Sequence, residues 1–92
     1  MIDMLSVGSA VRCKKSFPAV GIKAGEIGWV FEVYSGGVQI IFEGGGYSGF
    51  GYGEAEFLED LNVWKQEYAR YGYNHISNVI TDHRKGFWKF EL

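Results

Sequence analysis

The chain has 92 residues, a formal net charge of −2, one cysteine and 17% aromatic residues. That length fits one domain with a modest core, and a single cysteine excludes an intramolecular disulfide framework. The slight acidic excess argues against binding that rests mainly on nucleic-acid phosphates.

The chain starts Met-Ile-Asp-Met, with an acid where a basic signal region would stand, and no apolar run approaches a membrane span of about 20 residues. A cytoplasmic protein is the expectation. Charge is unevenly spread. Residues 43–60 carry Glu43, Glu54, Glu56, Glu59 and Asp60 and no base, whereas residues 61–92 carry five bases and three acids.

Residues 1–7 read as a lead-in. Ser9–Lys14 reads as a first strand, with Val11 and Cys13 on one face and Ala10, Arg12 and Lys14 on the other. Cys13 reads as a small buried hydrophobe. Lys15–Gly25 is a loop containing Pro18, the one proline, which fits poorly inside a central strand. Its apolar residues Phe17, Val20 and Ile22 predict that it folds back onto the core.

Gly28–Tyr34 and Val38–Glu43 read as a hairpin around Ser35-Gly36-Gly37, with the glycines supplying positive φ for the turn. Trp29, Phe31 and Val33 share one face. Val38, Ile40 and Phe42 form the apolar face of the next strand. The opposite faces are mixed, and Val30, Tyr34 and Ile41 call for cover from the C-terminal tail or a partner. Gly44–Gly53 packs six glycines and three aromatics into ten residues and reads as a loop.

Glu54–Leu58 leads back into the core. The spacing of Val63, Trp64, Tyr68 and Tyr71 predicts a helix over 62–71, capped by Asp60 or Asn62 and ended by Gly72. His75–Thr81 and Phe87–Leu92 then read as a second hairpin, with Trp88, Phe90 and Leu92 alternating on one face. The predicted fold is therefore mainly β, α+β at the margin. One domain spans 1–92, with a barrel core over 7–58 and a helix plus C-terminal hairpin over 59–92.

Val7-Gly8-Ser9-Ala10-Val11-Arg12, Ala24 to Val33 (AGEIGWVFEV) and Val38-Gln39-Ile40-Ile41-Phe42 together resemble SH3-like β-barrels of the KOW/Tudor-like kind. The resemblance covers about 7–58 and implies a small curved barrel. Barrels of this class bind proteins, nucleic acids and peptides, so it does not select one function.

The sharpest candidate site is the Gly-aromatic segment and the acids after it. Tyr47, Phe50, Tyr52, Glu54 and Glu56 would anchor another protein through aromatic rings inside a charged rim. A bulged strand with its rings in the core is the competing reading. The leading expectation is a small non-catalytic protein-binding module, such as an accessory subunit or a phage- or host-encoded inhibitor. The alternative is nucleic-acid binding through Arg12, Lys14, Lys15 and Lys23 with stacking on the loop rings.

No catalytic residue, cofactor or metal is expected. His75, Asp82 and His83 sit at no metal-ligand spacing, and the segment lacks the lysine and hydroxyl of a phosphate-binding loop. Monomer and homodimer are both open, with Phe87–Leu92 as the edge for dimer pairing.

Overall fold

The computed structural model describes residues 4–70 and 75–92. Its framework is a five-stranded antiparallel sheet formed by β1 (Ser9–Cys13), β2 (Ile27–Tyr34), β3 (Gly37–Phe42), β4 (Tyr47–Gly51) and β5 (Leu58–Trp64). The strand order is β4-β3-β2-β1-β5. The sheet is open, with β4 and β5 at its two edges. Two 3-10 turns, Pro18–Val20 and Tyr52–Phe57, lie in the β1–β2 and β4–β5 connections. Helices α1 (Gln66–Ala69) and α2 (Ile76–Arg84) follow β5.

The sheet buries apolar side chains on both faces. The inner layer gathers Leu5, Val11, Cys13, Ile22, Val30, Val38, Ile40, Phe42, Phe50 and Leu58. The β1–β2 loop folds back through two of its three expected residues: Ile22 is buried and Phe17 packs edge-on against Phe50 at 5.7 Å, whereas Val20 is exposed. On the outer face, Ala10, Trp29, Phe31 and Ile41 pack against Tyr68, Val79 and Trp88 from the tail. The tail thus covers one face of the sheet, although the face is that of Trp29 and Phe31. Val30 belongs to the inner layer.

The alternation in β2 breaks at a bulge. Val30 pairs with Ile40, Glu32 with Gln39 and Val33 with Val38, so the register shifts between Val30 and Glu32. One extra residue on one strand reverses the faces beyond it. Val33 therefore leaves the face of Trp29 and joins that of Val38. The turn also differs from expectation, because neither Gly36 nor Gly37 has positive φ.

Four sequence-based assignments are corrected. The Gly-aromatic segment is not wholly a loop, since Tyr47–Gly51 pairs with β3. The barrel core expected over 7–58 is an open sheet, and its fifth strand runs on from Leu58 to Trp64. Consequently the helix expected over 62–71 shrinks to Gln66–Ala69; residues 71–74, which include Tyr71, Gly72 and Tyr73, lie outside the described residues.

The second hairpin is absent. His75–Thr81 lies at the start of α2, and Phe87–Leu92 forms no strand, which removes it as an edge for dimer pairing. Ile76, Val79 and Ile80 recur at helical spacing, and His75 caps the helix by accepting from the Ser77 amide at 3.2 Å. Val79 is fully buried.

Candidate functional site

Pairing across β2, β3 and β4 places the outer-face side chains in rows. Trp29, Ile41 and Tyr47 form one row; Glu32, Gln39 and Gly49 form the next; Tyr34, Gly37 and Gly51 form the third. The tail seals the first row at Trp29 and Ile41, both fully buried, but leaves Tyr47 41% exposed. The second row is polar, and α2 begins beside it.

The result is a cleft of about 310 Å³ lined by Phe31, Glu32, Gln39, Tyr47, His75 and Ile76. Across Tyr47 lies a second hollow of about 540 Å³ lined by Gly44, Gly45, Tyr47, Ile80, His83 and Arg84. Tyr47 is thus a ridge between two depressions, with α2 along both.

Local chemistry sets the lining. The His75 Nδ1 accepts from the Ser77 amide, which places the proton of the neutral ring on Nε2. At the far end, His83 Nε2 lies 3.3 Å from the Glu43 carbonyl, and its ring meets Phe90 edge-on at 5.8 Å. These contacts tie α2 to the β3–β4 turn. Gly49 allows the tips of two side chains to lie across β4: a Cβ there would fall 3.0 Å from Gln39 Nε2 and 3.1 Å from Tyr34 Oη. Glu32 has no ion-pair partner among the described residues. The cleft therefore combines an apolar wall, a phenol, a carboxylate, a carboxamide and an imidazole.

The five residues expected to bind a protein separate. Tyr47 and Tyr52 are exposed, the latter at 56%, whereas Phe50 is 1% exposed and belongs to the inner core. Phe50 is corrected from surface anchor to core residue, because its pairing with Val38 turns it inward. Glu54 accepts from the Gly51 amide at 3.0 Å and caps the 3-10 turn, while Glu56 is exposed.

The basic set lies on the β1 side. Arg12 donates to the Gly25 carbonyl at 2.9 Å and pairs in register with Glu59. Lys15 lies over the rings of Phe57 and Phe17, at 4.9 and 5.8 Å. Lys14 and Lys23 are exposed, and the Lys23 amide donates to Glu26 at 3.3 Å. Arg12 is therefore engaged by the β1–β2 loop, and Lys15 by that loop and by the 3-10 turn before β5.

The place of Glu32, Gln39, Ile76 and His75 in one cleft escaped sequence reasoning. Glu32 and Gln39 stand as polar positions in apolar strands, and their pairing depends on the bulge. Among the described residues, no three His, Cys, Asp or Glu side chains converge as a metal-ligand set. Among the described residues, no helix is long and apolar enough to cross a membrane. Comparison with protein-family models, with curated proteins and with solved structures finds no match.

Proposed function

We propose that this protein is a non-catalytic binding module that contacts another protein through the cleft beside Tyr47. The observation that carries the reading is the partial cover of the outer face: the tail buries Trp29 and Ile41 yet leaves Tyr47, Glu32 and Gln39 facing a hollow walled by α2. An exposed ring next to unpaired polar groups is the arrangement of an interface anchor with its rim. Tyr52 and Glu56 extend the surface beyond the end of β4. An accessory subunit or an inhibitor acts through such a contact without chemistry of its own.

We also assign the sheet to the SH3-like class. The strand order, the long loop between β1 and β2 and the 3-10 turn before β5 support this assignment. The tail over the outer face is an addition to that plan.

The test is capture from native lysate with tagged wild-type chain, followed by titration of the captured protein. Tyr47→Ala and Glu32→Ala are expected to abolish capture, whereas Lys14→Ala with Lys23→Ala leaves it unchanged. The opposite pattern, together with salt-dependent retention on single-stranded DNA or RNA, would replace this reading with nucleic-acid binding.

A further inference from the structure

We infer that the free edge of β4 pairs with the same edge of a second copy of this chain, antiparallel and centred on Ser48. The hydrogen-bond phase defines the edge. Phe42 donates to the Gly46 carbonyl at 2.8 Å, and Tyr52 donates to the Gly36 carbonyl at 3.3 Å. Backbone groups alternate in direction along a strand. Residues 46, 48, 50 and 52 therefore address β3, and residues 47, 49 and 51 turn away. The Gly51 amide is taken by Glu54. The Gly49 carbonyl also accepts from Ser48 Oγ at 3.3 Å and keeps a second lone pair; among the described residues the Tyr47 amide and carbonyl and the Gly49 amide remain, directed at the open edge.

The two edges of the sheet are built differently. β5 carries Glu59 and Asp60, an irregular register against β1, and Asn62 at φ 57°. Charges and bulges of this kind discourage strand addition. β4 reads Tyr-Ser-Gly-Phe-Gly, has no charge or proline, and pairs with β3 in unbroken register. It lacks the protection that β5 has.

Self-pairing fits this edge. The two outward residues stand two apart, so a two-fold axis at Ser48 sets each Tyr47 opposite the other copy's Gly49. Both pairs can exchange two backbone hydrogen bonds. Each exposed Tyr47 ring then lies beside a position without a side chain, an aromatic–glycine pairing that suits an edge.

Charge favours the same orientation. Arg84 flanks the β4 N-terminal end, whereas Glu54 and Glu56 follow its C-terminal end. Antiparallel pairing brings the basic end of one copy to the acidic end of the other; parallel pairing would join like charges. Glu43, also near the basic end, turns its carboxylate to the Ile27 amide at 3.3 Å.

The experiment is sedimentation equilibrium of the full chain from micromolar to millimolar concentration, with amide exchange at Tyr47 and Gly49. A reversible monomer–dimer equilibrium is expected, with both amides slowing as dimer forms. Arg84→Glu should weaken association roughly tenfold, and adding Glu56→Arg should restore it. Ser48→Cys should cross-link under mild oxidation, because its two-fold mate is a non-hydrogen-bonded neighbour with Cα atoms about 4.5 Å apart. Ser77→Cys, exposed on α2, is the control. Monomer at every concentration, or equal cross-linking by both cysteine variants, would overturn the dimer. A monomer that still binds a partner through Tyr47 would overturn it while leaving the cleft reading intact.

Discussion

The Trp29 indole and the Tyr68 hydroxyl donate to one oxygen, the Lys89 carbonyl, at 2.8 and 3.0 Å. Their ring centroids lie 4.5 Å apart. The Tyr68 oxygen also accepts from the Lys89 amide at 2.6 Å. A strand of the sheet, a short helix and an irregular tail are thus joined at one residue, Lys89. This explains how residues 85–92 cover the sheet without strand pairing: buried side chains supply the partners that a ladder would otherwise provide.

Tyr68→Phe keeps the ring and removes the hydroxyl. The Lys89 amide loses its acceptor, and the carbonyl keeps only Trp29. The expected loss is about 1–3 kcal/mol, read from urea unfolding. Amide exchange should accelerate in residues 76–92 more than in β2 and β3. Unchanged protection of the tail would show that the clasp does not hold it.

Alkaline pH should destabilise the fold through two buried acids. Burial pushes the Cys13 thiol above its ordinary value of 9.0 and the Tyr68 phenol above 10.0. The native state thus holds these protons more tightly than the unfolded chain does. Their contributions are complete below the unfolded values and decline as pH rises from there through the native values. Urea midpoints measured between pH 7 and pH 11 should fall, and Cys13→Ala with Tyr68→Phe should flatten the slope. A double variant with the wild-type slope would place the sensitivity elsewhere.

The three rings of the Gly-aromatic segment should respond differently to truncation. Phe50→Ala empties an inner-core position and is expected to cost about 3–5 kcal/mol. Tyr47→Ala and Tyr52→Ala remove exposed rings and should stay within roughly 1 kcal/mol of wild type. Thermal unfolding of the three variants separates core from surface. A loss for Tyr47→Ala as large as that for Phe50→Ala would mean that its ring is needed for folding.

The contrast between Phe50 and its neighbours shows what could be read in the chain. The β2–β3 hairpin was legible because two apolar runs flank a short turn. The tail was not. Trp88 is buried and Phe90 half-buried, so their alternation records one-sided burial of an extended segment, which does not require a paired strand. His75–Thr81 has strand-like composition, but its apolar positions also fit a helix, and only contact with the sheet decides between them. The cleft was hidden for a different reason. Glu32 faces Gln39 through a bulge that no local pattern announces, and His75 reaches them from a distant part of the chain.

Gly36 and Gly37 test whether turn conformation or close packing requires glycine. Neither has positive φ. A Cβ at Gly37 would strike the Phe50 carbonyl and come within 2.8 Å of Gly51 Cα, because β4 crosses there. At Gly36 the nearest atom would be a Tyr34 ring carbon at an ordinary 3.5 Å. Gly37→Ala is therefore expected to cost about 1–3 kcal/mol through forced separation of β3 and β4. Gly36→Ala should fall within roughly 0.5 kcal/mol of wild type. Urea midpoints of the two variants decide the matter. Equal losses would make the turn the constraint; a loss confined to Gly37→Ala would make it the approach of β4, the strand that carries Tyr47.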